Sequence, residues 1–319
     1  MSKIGDFPLL RRLFQSLVVI TASASLQPGQ VRAQQVDSLQ ILVPGEGNSG
    51  LTTGAQSLKQ GLEETGLVGK VTIRHIPAGS AVGAGSMGIP SVIIAGPDQA
   101  SANTSNGPAP VPLALLSGEY YVVVIPKASE LRSLAHLVDM MVQDPKSITW
   151  VLSEGSKAEL ATLGSIAQSA GVEPNELKIV TYATPAQRDS LLAGDFAVAV
   201  GTQSDFIDQI ERGEMKALGL TAPDRVAGIE VPTLREQGIY VESGSWTGLM
   251  MPPETRPAER LAVSSVMGKL SETSIWRKLL AENGWQNLYR DHDQFSHFIG
   301  RQTESTRVNL EENGIAPSK

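Results

Sequence analysis

The chain has 319 residues, with 26 Lys and Arg against 33 Asp and Glu, a formal net charge of −7 and no cysteine. Without cysteine there is no disulfide, thiolate nucleophile or thiolate metal site, and the acidity argues against nucleic acid or an anionic membrane surface as partner. With 41% hydrophobic and 5% aromatic residues the sequence reads as globular, with length for two domains.

At the N-terminus, Arg11 and Arg12 precede an uncharged stretch from Leu13 to Leu26, and Val31-Arg32-Ala33 offers a small-residue cleavage site before Gln34. This pattern predicts a signal peptide over residues 1–33, exported and removed. Its apolar part is too short for about 30 Å of hydrocarbon and is diluted by Gln15, Ser16, Thr21, Ser23 and Ser25, so no membrane anchor is expected. Arg11-Arg12-Leu13-Phe14 also resembles a twin-arginine signal, which leaves the general secretory and twin-arginine routes both open. Residues 1–33 hold four basic side chains and one acidic one, so the remaining 286 residues carry −10.

Beyond Gln34, strands and helices alternate in the manner of α/β proteins. Leu39–Val43, Val71–Ile76 and Ser91–Ala95 read as strands, with a helix over Thr52–Thr65 carrying Leu58 and Leu62. Pro77–Gly88 is a Gly- and Ala-rich loop, and Ala100–Pro112 is an irregular connection with three prolines. Tyr120–Ile125 is a strongly apolar strand ending at Pro126, where a crossing between lobes is expected. Ser129 is then read as the cap of a helix whose stripe is Leu131, Leu134, Ala135, Val138, Met141 and Val142. Strands follow at Thr149–Leu152, Lys178–Val180, Phe196–Val200 and Ala217–Leu220, with helices at Ser156–Ala170, Ala186–Leu192 and Ser204–Arg212. A return crossing near Trp246 leads to helices at Pro257–Ser271, Ser274–Asn283 and about Asp291–Asn313, which should pack back on the first lobe.

The loops that follow strands are the chemically interesting positions, because ligands of open α/β sheets bind where helix N-termini converge. Pro44-Gly45-Glu46-Gly47-Asn48-Ser49-Gly50 satisfies the G-x-G-x-x-G spacing of dinucleotide sites, but the second strand ends Arg74-His75-Ile76 and lacks the acidic residue a ribose needs. Arg74 would suit a 2′-phosphate, yet an exported protein rarely meets free nicotinamide cofactor, and no cofactor is expected. His75, His136, His292 and His297 are scattered, and the last two are five apart, on different helix faces, so no metal site is expected either. No G-x-S-x-G elbow occurs. Glu46 and Glu154 resemble a glycosidase pair on opposing lobes, without the aromatic rings that sugar stacking needs.

The segment Leu191–Pro253 carries a longer pattern: Leu192, Gly194, Gly213, Ala217, Leu218, Arg225, Pro232, Thr233, Glu236, Gly238, Trp246, Gly248 and Pro252 stand in ordered spacing. This string resembles the substrate-binding receptors of tripartite tricarboxylate transporters, the Bug receptors, in which "G.++ALA", "R....PT+.E.G" and "W.G+..P" succeed one another. Pro44–Leu51 is similar to that family's "P.GPGGG.D", with Gly50 or Leu51 where the family has an aspartate, and His75–Gly83 to "N.PGAGG.IG". In the second lobe Ser153–Ala158 and Tyr182–Gln187 stand where the family has a loop ending in threonine or serine and "Y.GG.EA". Scaffold positions match and pocket positions drift.

The resemblance implies a type II periplasmic binding protein, with two α/β lobes that are each a mostly parallel sheet flanked by helices. Lobe 1 is expected over 34–124 and 247–319, and lobe 2 over 125–246. It implies a periplasmic receptor, monomeric and not an enzyme, that binds a di- or tricarboxylate-like organic acid and serves two multispanning membrane subunits. The expected ligand-binding residues are Gly45, Glu46, Gly47, Asn48, Ser49, Gly79, Ser80, Ala81, Ser153, Glu154, Ser156, Lys157, Thr184 and Thr202. Backbone N–H groups of the glycine- and serine-rich turns are expected to hold the carboxylate, with Ser49, Ser156, Thr184 and Thr202 adding hydroxyl donors. Each of those hydroxyls reads equally well as a helix cap. Lys157 is a candidate partner for an acid or a solvated side chain, and Trp246 a hinge-side core residue or pocket wall. An exported enzyme using Glu46 or Glu154, and a sensor without a transporter, are the alternatives.

Overall fold

A computed structural model describes residues 36–45, 49–77, 89–100, 108–183, 185–193, 196–226 and 229–312, all within one compact unit, Gln34–Lys319. In chain order its strands are β1 Ser38–Pro44, β2 Lys70–Ile76, β3 Ser91–Ala95, β4 Val111–Pro126, β5 Thr149–Ser153, β6 Lys178–Tyr182, β7 Ala197–Thr202, β8 Met215–Leu220, β9 Gly244–Met251 and β10 Gln286–Arg290. Its helices are α1 Ser49–Glu64, α2 Pro97–Ala100, α3 Leu134–Gln143, α4 Lys157–Ser169, α5 Pro185–Leu191, α6 Gln203–Glu211, α7 Pro257–Ser271, α8 Ser274–Glu282 and α9 His292–Glu312.

The result is the two-lobed α/β architecture expected from the sequence. In the first lobe the order is β2-β1-β3-β9-β4, with β10 also on β4, and β1, β2 and β3 are parallel. In the second, β6-β5-β7 run parallel, and β7 and β8 both pair antiparallel with β4. Central strands are covered on both faces and so are apolar throughout: every residue of β3 is buried, as are the first five of β7. The edge strands β2 and β6 have more exposed, mixed patterns. Leu58 and Leu62 of α1, Val263, Met267 and Leu270 of α7, and Trp276 of α8 close one core over β1 and β3. Trp150, Leu163, Ile166, Val198 and Leu234 build another in the second lobe. Each fully buried aliphatic side chain in these cores contributes about 1.5–3 kcal/mol.

The two lobes share β4. Its Val111–Tyr120 portion pairs with β9, whereas Tyr121–Pro126 pairs with β7 and β8. The return passage lies alongside, since Ser243 N donates to Thr221 O and Gly244 pairs with Tyr120. Thr221, fully buried, ties the passages together: its Oγ1 accepts from Tyr121 N at 3.0 Å and donates to Ser243 O at 2.5 Å. The last helix, α9, packs against both β4 and α4. It therefore reaches the second lobe, while α7 and α8 stay on the first. Phe295 of α9 lies on Gly248 with its ring edge-on to Trp246, centroids 5.4 Å apart.

Three elements differ from the sequence expectation. β4 begins at Val111, inside the stretch read as an irregular connection, because Val111, Pro112, Ala114 and Leu115 find partners on β9 and need no alternation. β10 falls where the sequence was assigned no element, between the helices ending at Asn283 and starting near Asp291, yet Gln286 and Asn287 pair with Gly118 and Ser117. The cap of α3 is Ser133, whose side chain accepts from His136 N, so the helix starts a turn after Ser129. Its buried face is accordingly Leu134, Leu137 and Met141, and Val142 is exposed.

Candidate functional site

A cavity of about 410 Å³ lies between the lobes at the carboxyl ends of β3, β5, β6 and β7, where sequence reasoning placed a ligand. Gly50 and Leu51, at the start of α1, and Gly96 to Gln99 wall it on the first-lobe side. From the second lobe come Ser153, Glu154, Ser156 and Glu159 at the β5–α4 turn, Tyr182 and Arg188 around α5, and Thr202 and Asp205 at the β7–α6 turn. Glu119, Tyr121, Ser245, Trp246 and Thr247 line it from the shared strands, and Trp285 closes one side. A second recess of about 810 Å³ adjoins it, sharing Gly50, Asp205 and Trp285, and is otherwise walled by α6, α8 and the segment after it.

The turns form as their residues dictate. Gly45 has φ of +84° and its N–H donates to Ile76 O, turning the chain out of β1; Gly155, at +75°, does the same out of β5. Ser156 caps α4 by accepting from Glu159 N at 3.3 Å, one of the two roles its sequence position allowed. Thr202 Oγ1 donates to Asp205 Oδ2 at 2.6 Å, inside the first turn of α6.

The helix N-termini at this cavity are occupied by the protein's own carboxylates. Asp98 Oδ1, from the first lobe, accepts from Lys157 N at 3.0 Å and from Ala158 N at 3.4 Å at the head of α4. Glu159 folds back so that Oε2 accepts from Ser153 N at 2.6 Å and Oε1 from Ser153 Oγ at 2.8 Å. Glu119 caps α6, accepting from Ser204 N and Ser204 Oγ, each at 2.9 Å. α1 and the short α5 have no acidic residue in their first turns.

Burial raises the pKa of these acids, since the ionised form loses its water. Desolvation lifts Glu159 to about 8 and Glu119 to about 7, against the opposing pull of the Ser153 and Ser204 hydrogen bonds. Asp98 is raised by the same cause, partly offset by the α4 amides. Tyr121 is pushed far up by burial and then by the charges of Glu159, Asp98, Glu119 and Asp205, and it stays a neutral phenol. Tyr182 is raised similarly, and its hydroxyl lies 3.0 Å from Ser153 Oγ. Arg188, the one cation on the wall among the described residues, is 5% exposed and spoken for: it pairs with Asp189 at 2.9 Å, donates to Asp205 O at 2.7 Å and stacks over Phe206.

Of the expected binding residues, the structure gathers Ser153, Glu154, Ser156 and Thr202 at the cavity. Gly45 turns the chain out of β1, Ser49 begins α1, and Lys157 contributes its backbone N–H to Asp98. Glu46, Gly47, Asn48, Gly79, Ser80, Ala81 and Thr184 lie outside the described residues. Sequence reasoning did not single out Asp98, Glu119, Tyr121, Glu159, Arg188, Asp205 or Trp285. Only Glu119 and Tyr121 carried a signal, as polar residues at the edge of an otherwise apolar strand.

Comparison with known proteins gives the site its context. Among solved structures, R. palustris Rpa4515 with adipate aligns with a TM-score of 0.74 at 20% identity, covering 88% of this chain and 99% of that one. MatC (Rpa3494) from Rhodopseudomonas palustris with bound malate aligns at 0.69 and 16% identity over 86% and 98%. The periplasmic binding protein BugD aligns at 0.68 and 17% identity over 87% and 98%. These likenesses establish the fold. A curated relative, the UPF0065 protein in gbd 5'region of Cupriavidus necator, is 23% identical over 206 residues, which are 64% of this chain and 62% of that protein. The family model described as tripartite tricarboxylate transporter family receptor matches residues 109–315. With well over half the sequence matched, including the shared strand, the cleft turns and the closing helices, the chain belongs to the tripartite tricarboxylate transporter receptor family.

Proposed function

We propose that the chain is an exported, periplasmic solute receptor that takes up a small organic acid in its cleft and passes it to two multispanning membrane subunits of tripartite tricarboxylate type. The observation that carries this reading is the interlobe cavity of about 410 Å³ at the strand ends, a size suited to a small organic ligand. α1, sixteen residues long, directs its N-terminus at that cavity with Gly50 and Leu51 on the wall and no acid in its first turn, which favours an anionic group there. Family neighbours named for bound malate and adipate support the acid class. Export is supported by the signal pattern of residues 1–33, and among the described residues no helix is long and apolar enough to cross a membrane.

In this reading residues 34–124 with 247–319 move against 125–246, and the cleft binds and releases without chemistry, as a monomer. Native mass spectrometry of freshly purified periplasmic protein is the test. It should show a chain beginning at Gln34 with a small organic ligand released intact on unfolding. Residues 1–33 retained in a membrane fraction would overturn the export reading, and conversion of the released ligand by the protein would overturn the receptor reading in favour of an exported enzyme.

A further inference from the structure

We infer that Asp98 is a built-in latch that holds the two lobes closed when no solute is present, so that solute entry waits on its release. The inference rests on the receptor reading, in which the lobes move against each other, and goes beyond it by naming the contact that sets the resting state. Asp98 belongs to α2, which follows β3 in the first lobe and packs on β3 and β9. Its Oδ1 reaches the head of α4 in the second lobe, accepting from Lys157 N at 3.0 Å and from Ala158 N at 3.4 Å. The Ser156 hydroxyl donates to the same carboxylate, and the Lys157 charge attracts it. A carboxylate on the first unpaired amides of a helix makes charge-assisted hydrogen bonds and meets the positive end of the macrodipole. Here donor and acceptor sit on opposite lobes, so the interaction is lost when the cleft opens.

Both ends of this contact are braced. On the first-lobe side Gln99 Oε1 accepts from Gly96 N at 3.0 Å, and a Cβ at Gly96 would stand 3.2 Å from Trp246 O, so α2 leaves β3 pressed against the return strand β9. On the second-lobe side Thr162 of α4 shares a 2.6 Å hydrogen bond with the Ser243 hydroxyl, and Ser243 O accepts from Thr221 at the crossing. α9 packs on α2 and on α4 alike. An exposed ion pair between two long side chains forfeits most of its gain in ordering them. The Asp98 contact avoids that loss, because the acceptor is a short, half-buried side chain and the donors are backbone amides already fixed by their helix.

The test is the distance between two spin labels, measured by pulsed electron resonance on refolded, solute-free protein. The chain has no cysteine, so Val142→Cys on α3 and Leu261→Cys on α7, both exposed, place one label on each lobe. The labelled parent should show one short separation. Asp98→Ala should lower the ratio of closed to open forms at least about tenfold and bring in a longer separation, and Asp98→Asn, which keeps an acceptor oxygen, should fall between. Lys157→Pro attacks the same contact from the other lobe. Lys157 is the first residue of α4, where proline is tolerated and only the donor is lost, so this variant too should open the cleft. Combined with Asp98→Ala it should open it no further than Asp98→Ala alone. A long separation in the solute-free parent overturns the inference, as does an unchanged separation in both Asp98→Ala and Lys157→Pro when circular dichroism shows them folded. Since no solute is used, either result leaves the receptor reading to native mass spectrometry.

Discussion

Glu159→Gln probes the buried acid that organises the cleft. Glu159 is 4% exposed, and burial lifts its pKa from the ordinary 4.5 to about 8. Each tenfold change in proton affinity is worth about 1.4 kcal/mol, so ionising this group in the folded protein costs on the order of 5 kcal/mol relative to the unfolded chain. Because the folded pKa is raised, the folded state holds the proton more tightly. The associated stability is fully present below pH 4.5 and is lost as pH rises through about 8. Glutamine mimics the neutral acid and can still accept from Ser153 N. Ligand-free protein and variant, melted side by side, should therefore differ little at pH 5, and at pH 8.5 the variant should melt about 5–10 °C higher. Glu119, with its pKa near 7, remains in both and gives both a shared decline. The other charged and titratable groups facing the site, Asp98, Tyr121, Glu154, Tyr182, Arg188 and Asp205, are likewise common to the two proteins. A difference in melting temperature that is the same at pH 5 and pH 8.5 would refute the reasoning, since it would mean that Glu159 is ionised throughout.

Thr221→Val keeps the shape at the crossing and removes the hydroxyl, orphaning Tyr121 N and Ser243 O; urea unfolding should show a loss of about 1–3 kcal/mol. Gly248→Ala places a methyl group into the Phe295 ring and should cost about 1–3 kcal/mol by the same assay, with the added Phe295→Leu recovering part of it. Arg188→Leu leaves Asp205 O without its donor and Phe206 without its cation. Because Asp189 is half exposed, most of the expected loss of about 1–3 kcal/mol comes from those two contacts and should change little with added salt. A loss that disappears in 1 M salt would assign the role of Arg188 to the surface ion pair instead.

The fold was legible wherever one element sufficed to state its own pattern. Ser91–Ala95 and Pro257–Ser271 have the bounds expected from the sequence, because an uninterrupted apolar run and a helix opened by proline need no partner to be recognised. The start of β4 was misread and β10 was missed for the opposite reason. Val111–Pro112 and Gln286–Arg290 become strands only through pairing partners more than a hundred residues away, and prolines or polar residues hide that pairing locally. The change of partner at Tyr120/Tyr121 is equally silent, since the backbone continues as one strand through it.

The cleft was legible as a place but not as a charge. Turns after β5 and β7 announce themselves by glycine, serine and threonine, and Ser153, Glu154, Ser156 and Thr202 do reach the cavity. Asp98, Glu119, Glu159 and Asp205 come from four separate elements, and in sequence each is an unremarkable acid in or beside a helix or strand, where solvation is the usual fate. Only their convergence on Tyr121 sets them apart. That convergence also changes what the helix termini mean. A bare N-terminus selects an anion from solution, but one already holding Asp98 or Glu119 has its first amides engaged by the protein itself. A cleft scaffold can thus show every strand, turn and helix end to the sequence while the acids that engage its amide donors are recorded by no local motif.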